Sequence, residues 1–173
     1  SSNEYYYNTN GLNQNHKGIE LDFVSRYFRN IEIEGLASFG DWTLNTSDEI
    51  YLFDMNTDLP SDTIQFSAQG VHVGDAAQIQ LGGSVRYEII KNLYIKARYT
   101  YFTKNYSKYN LLDLQVTYLS SGVVKTDNRD RESWKMPSYG LLDLFAGYNF
   151  KYWKLRFNVS AGVTNLLNTL YIS

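Results

Sequence analysis

Asp54, Asn56 and Asp58 alternate in the run Asp54-Met55-Asn56-Thr57-Asp58, the spacing with which a calcium loop opens so that oxygen ligands converge on a hard cation. That pattern next requires glycine at its sixth position and glutamate at its twelfth. This chain has Leu59 and Gln65 there, so the run reads as an acidic, solvated surface loop. Glu32 and Glu34 form a second constellation. On one strand face they would stand about 7 Å apart, a separation a glycosidase could use, but repeated carboxylates on a water-facing wall account for them more simply. His16 and His72 are the only imidazoles. Neither has a serine or cysteine at a spacing suggesting a nucleophilic triad, and no histidine pair suggests a metalloenzyme; both read as surface polar residues. Trp134, Tyr106 and Tyr109 lie in a long loop-like stretch where they could stack on a ligand. With Asp54 and Asp58 they are the candidate ligand-contact residues, and no catalytic group, metal site or cofactor is predicted.

The elements that would position these residues are strands. From Lys154 to Thr164, Leu155, Phe157, Val159, Ala161 and Val163 share one face, with Arg156, Asn158, Ser160, Gly162 and Thr164 on the other. Successive strand side chains point to opposite faces, so this is a two-sided ribbon. Tyr139 to Phe150 is its partner across a turn at Lys151 to Trp153. The same unit occurs twice earlier. Ile79, Leu81, Val85 and Tyr87 oppose Gln80, Ser84, Arg86 and Glu88, then Leu93, Ile95, Ala97, Tyr99 and Tyr101 oppose Tyr94, Lys96, Arg98 and Thr100. Before them, Ile19, Leu21 and Phe23 alternate with Glu20 and Asp22, followed beyond Tyr27 to Asn30 by Ile31, Ile33, Gly35, Ala37 and Phe39 against Glu32, Glu34 and Ser38. The six strands are expected at roughly 16–26, 31–44, 77–88, 93–103, 139–149 and 154–164.

Short turns join the strands within each ribbon, whereas long segments join the ribbons. Residues 45–76 read as an acidic loop; within 104–138, Leu111 to Tyr118 could be a short strand and Lys125 to Lys135 is charged and loop-like. Short turns at one edge and long loops at the other are the asymmetry of an outer-membrane barrel. A soluble β-sandwich would also alternate, but long unstructured loops confined to one edge are foreign to it.

Bulk composition agrees with a water–lipid boundary. Aromatic residues make up 16% of the 173 residues, 16 of them tyrosine, against 2 prolines. No apolar run reaches the 18 or more residues of a spanning helix, which leaves a membrane barrel open. Without cysteine neither disulfides nor thiolate metal sites can form. A net charge of −2 offers no footprint for nucleic acid. Ser1 to Tyr7 lacks the basic start and apolar centre of a signal peptide, so an export signal is expected upstream.

Asn10-Gly-Leu-Asn-Gln-Asn-His16-Lys-Gly18-Ile-Glu20-Leu resembles a strand entry of TonB-dependent outer-membrane receptors. Gly74-Asp-Ala-Ala-Gln78, Tyr139-Gly-Leu-Leu-Asp-Leu and Val163-Thr-Asn-Leu-Leu-Asn-Thr-Leu-Tyr171 resemble later parts of the same barrels. The resemblance implies an all-β, antiparallel transmembrane barrel section, residues 1–173 being an internal piece of a receptor whose plug, TonB-contacting segment and final strands lie elsewhere. It further implies residence in the outer membrane of a Gram-negative cell and import of a scarce large solute such as a siderophore, cobalamin or glycan. The expected partners are outer-membrane lipid, the imported ligand, the TonB complex through missing parts, and the remainder of the barrel. A passive porin shares the strand signature. An outer-membrane enzyme is disfavoured by the lack of a catalytic constellation.

Overall fold

Period-two alternation leaves each long segment with one apolar and one polar edge, and such segments pair where their like edges can be aligned. The computed structural model describes residues 5–7, 12–74, 76–109, 114–116 and 132–172. Their regular elements are the strands β1 (Tyr5–Tyr7), β2 (Gln14–Ser25), β3 (Ile31–Leu44), β4 (Ser47–Asp54), β5 (Pro60–Ser67), β6 (Ile79–Ile90), β7 (Leu93–Thr103), β8 (Asn105–Tyr106), β9 (Lys135–Met136), β10 (Tyr139–Tyr152) and β11 (Leu155–Val163). No described helix is long and apolar enough to cross a membrane. The chain divides into two units. A sheet unit comprises Gly18–Gly40, Ala77–Asn105 and Met136–Ser173, and a connection unit comprises Ser1–Lys17, Asp41–Ala76 and Tyr106–Lys135.

The sheet is six-stranded, in the order β11-β10-β7-β6-β3-β2, and from β11 through β10, β7 and β6 to β3 each neighbouring pair is antiparallel. Its register aligns the alternating rows across strands. Ile33 stands opposite Val85, Val85 opposite Ala97, Ala97 opposite Leu144 and Leu144 opposite Val163. One position along, Glu34, Ser84, Arg98 and Asp143 form the matching polar row. A one-residue slip would exchange the two faces. Among the described residues the sheet is open, with β2 and β11 at its edges.

Two of the short turns use left-handed residues. Asn92 has φ 69° and Trp153 φ 53°, the second lying between Tyr152 and Leu155, which face each other across the last hairpin. Asparagine tolerates this region through its short polar side chain, whereas tryptophan is strained there. Tyr27, Tyr152 and Trp153 are strongly exposed beside the turns. Aromatic rings also lie over glycines on neighbouring strands. A Cβ at Gly147 would come within 2.6 Å of the Tyr94 ring, and one at Gly162 within 2.6 Å of Phe145, so glycine is what permits those rings to lie flat on the polar face.

In the connection unit, residues 45–76 contain structure where sequence reading expects a loop. β4 and β5 form a hairpin with Ile50 opposite Ile64, and β1 adds to β4. The reason is a small core: Leu44, Ile50, Phe66, Ala68, Val71 and Leu114 are buried together. Leu114 arrives from far along the chain. Beside it, Gln115 bridges to Phe66 and the Val116 N–H donates to the Gln65 carbonyl at 3.0 Å. The remainder of the expected strand at Leu111 to Tyr118, and most of Lys125 to Lys135, lie outside the described residues.

Candidate ligand-contact residues and polar wall

Asp54 and Asp58 sit at the β4–β5 turn, and local bonding occupies both. Asp54 Oδ1 accepts from the Asn56 N–H at 2.8 Å and the Thr57 N–H at 3.2 Å, while its carbonyl accepts from the Asp58 N–H at 2.9 Å. This is an aspartate closing a turn. Asp58 has φ 56° and accepts from the Tyr6 hydroxyl at 3.1 Å. That hydrogen bond, ahead of burial and charge, raises the Tyr6 pKa.

Tyr106 is buried, with 6% of its surface exposed. Its ring stacks on His72 at 4.2 Å with the planes 3° apart. Burial above all, then the charges of Glu132 and Asp41, raises its pKa. Tyr109 packs half-buried against the small core. Trp134 differs, being 56% exposed, while its carbonyl accepts from the Ser107 N–H at 2.9 Å. Tyr106 and Trp134 are thus brought onto adjoining segments, one ring inward and the other outward.

Sequence reading places His72 at the surface, but it joins three segments. Its Nδ1 lies 2.6 Å from Glu132 Oε2, its backbone N–H donates to Glu132 Oε1 at 2.9 Å, and its carbonyl accepts from the Ser133 hydroxyl at 3.1 Å. Asp41 lies 3.9 Å from Nε2. Its place in Val71-His72-Val73 was a usable signal, since a polar residue flanked by two valines in a short extended run has one side turned to a core. The carboxylate partner sixty residues away carried no signal.

In the sheet unit the polar row is a network. Glu34 Oε2 accepts from Ser84 Oγ and from Lys96 Nζ, each at 2.6 Å. Asp143 Oδ2 accepts from Arg98 Nη2 at 2.7 Å and Nε at 3.1 Å, and Oδ1 accepts from the Asn165 N–H at 2.9 Å. Glu32 pairs with Arg26. The Arg86 guanidinium lies 4.1 Å from the Tyr94 ring centre. Glu32 and Glu34, the pair with glycosidase spacing, therefore face cations in place of an open cleft. Phe102, Tyr139 and Tyr171 stack in series at 5.0 and 4.6 Å.

The model of the TonB-dependent receptor-like β-barrel family matches residues 1–166. The chain belongs to this family. No curated protein and no solved structure matches it. TonB-dependent receptors are an outer-membrane family of receptors and transporters and not a family of enzymes, and in such a barrel one strand face meets lipid while the other lines the interior. In this receptor barrel the depression of about 520 Å³ among Val85, Ile95, Ala97, Leu144, Ala146 and Ala161 belongs to the apolar row. It is a dent in the face suited to lipid, remote in chemistry from a polar solute.

Proposed function

We propose that the chain forms wall and loops of an outer-membrane receptor that captures a scarce large solute, a siderophore, cobalamin or glycan, and imports it actively with energy from the TonB complex. The observation that carries this reading is the sheet's separation of chemistry. An unbroken apolar row backs a polar row whose acids and bases neutralise one another, which suits a wall between lipid and a filled, watery interior. The long connections supply the capture surface, with the exposed Trp134 ring as its stacking platform. Asp54 and Asp58 support the hairpin in that surface, while Tyr106 and Tyr109 act from within it.

The test is uptake of labelled ferric siderophore, cobalamin and oligosaccharide by cells carrying the full-length receptor, with and without a protonophore. One solute class should be taken up saturably at low concentration and lose uptake on uncoupling, and Trp134→Ala should weaken its capture. Uptake that survives uncoupling and rises linearly with concentration would replace this reading with a passive porin.

A further inference from the structure

We infer that the short turns of the sheet dock anionic phospholipid, each holding a headgroup phosphate with one cation while the apolar side chain beside it anchors among the acyl chains. The starting point is a dipeptide that recurs. The three short turns carry Phe28-Arg29, Ile90-Lys91 and Trp153-Lys154, in each case a large apolar residue followed at once by a cation. Phe28, Ile90 and Trp153 are all exposed, Trp153 at 83%. Among the described residues Arg29, Lys91 and Lys154 form no salt bridge, and Lys154 Nζ lies 5.5 Å from the centre of the Trp153 ring.

Two demands meet in that dipeptide. The apolar side chain is ill placed in water and the cation in hydrocarbon, so the pair suits the boundary where acyl chains end and headgroups begin. The height agrees. The nine residues of β11 span about 30 Å and, at a tilt near 40°, about 23 Å of height, close to an apolar band about 25 Å tall. The apolar row also continues to the turn, where Phe150 and Phe157 stack at 5.2 Å and Tyr152 faces Leu155. Charge then selects the headgroup. Residues 24–32, 86–94 and 149–157 hold seven Lys and Arg against two Glu, in a chain with 16 Lys and Arg against 18 Asp and Glu. Both glutamates are engaged, Glu32 with Arg26 and Glu88 by accepting from the Asn92 N–H at 2.7 Å. The excess of positive charge favours an anionic headgroup over a zwitterionic one. An acidic protein would meet the cations but leave unexplained the apolar side chains continuous with the lipid face. This inference rests on the membrane placement of the barrel and not on import, so a receptor that failed the uptake test would leave it standing.

Brominated phospholipids test it, because bromine on an acyl chain quenches a tryptophan only at contact. In full-length receptor reconstituted into phosphatidylcholine vesicles, the Trp153 signal is the emission lost in Trp153→Phe. A minor fraction of brominated phosphatidylglycerol should quench that signal more than the same fraction of brominated phosphatidylcholine, to the extent of about a fivefold preference for the anionic lipid. Lys154→Arg should keep the preference. Lys154→Gln should remove it, since Lys151 and Arg156 belong to the opposite, polar row. Phe28→Trp and Ile90→Trp, each in the Trp153→Phe background, should show the same preference at the other two turns. Four outcomes overturn the inference: equal quenching by the two lipids, quenching by neither, which would put solvent or protein around the turn, a preference that survives Lys154→Gln, or one confined to the Trp153 turn.

Discussion

Val159 and Ser160 are adjacent on β11, and their side chains belong to opposite rows. Val159 stands opposite Tyr148, Ser160 opposite Gly147. Val159 lies four residues from each end of β11, about 13 Å along the strand. At a tilt near 40° that is about 10 Å of height from each end, close to the middle of an apolar band about 25 Å tall. Val159→Arg should therefore cost about 2 to 4 kcal/mol, the penalty for a charged residue at mid-depth on the lipid face. Ser160→Arg projects to the polar side over a glycine and should stay within about 0.5 kcal/mol, as surface changes do. A difference of about 3 kcal/mol is roughly a 150-fold change in the folding equilibrium. Urea-driven unfolding of the full-length receptor in lipid vesicles would read this as a midpoint lowered by about 1 M for a slope near 3 kcal/mol/M. Equal losses from the two substitutions would refute the assignment of faces, and a larger loss at Ser160 would invert it.

Asp143 is buried and accepts from both Arg98 and the Asn165 backbone, so Asp143→Ala should destabilise by about 2 to 3 kcal/mol and speed hydrogen exchange from Asn165 to Thr169; unchanged exchange there would deny its anchoring of that segment. Gly147→Ala should force the Tyr94 ring off its neighbour at a cost of about 1 to 3 kcal/mol, and Tyr94→Ala in the same chain should recover part of the loss, a non-additivity that a double-mutant cycle in denaturant measures. Tyr106 holds its proton above the ordinary value of 10.0 through burial, then the charges of Glu132 and Asp41. The unfolded chain ionises first, so stability present below pH 10 should decline as pH rises toward the folded value; Tyr106→Phe should flatten that alkaline limb in a pH series of unfolding midpoints.

The two-faced strands were legible because their signal is local: each residue from Leu155 to Val163 declares its face by parity alone. The register that joins Glu34 to Lys96 was not, since it depends on which strands become neighbours. The β4–β5 hairpin was hidden by its acids. Asp48, Glu49, Asp54, Asp58 and Asp62 dominate the composition, while only a few apolar residues such as Ile50 and Phe66 face the core, completed by Leu114 from a distant segment. Of the candidate contact residues, Trp134 is the one whose ring stands well exposed, and Tyr106 turns inward because His72 offers its ring face. No spacing rule predicts a stack between residues so far apart.

The opposition of Arg86 and Lys96 bears on how the register of the wall is held. A hairpin of β6 and β7 alone sets these two cations face to face, and they repel each other. Once β3 is alongside, Glu34 reaches Lys96 at 2.6 Å across β6, while Arg86 lies over the Tyr94 ring and Glu32 pairs with Arg26. The charges thus mark the register: a β3 displaced by one residue would turn Glu34 to the opposite face and leave Lys96 without its carboxylate.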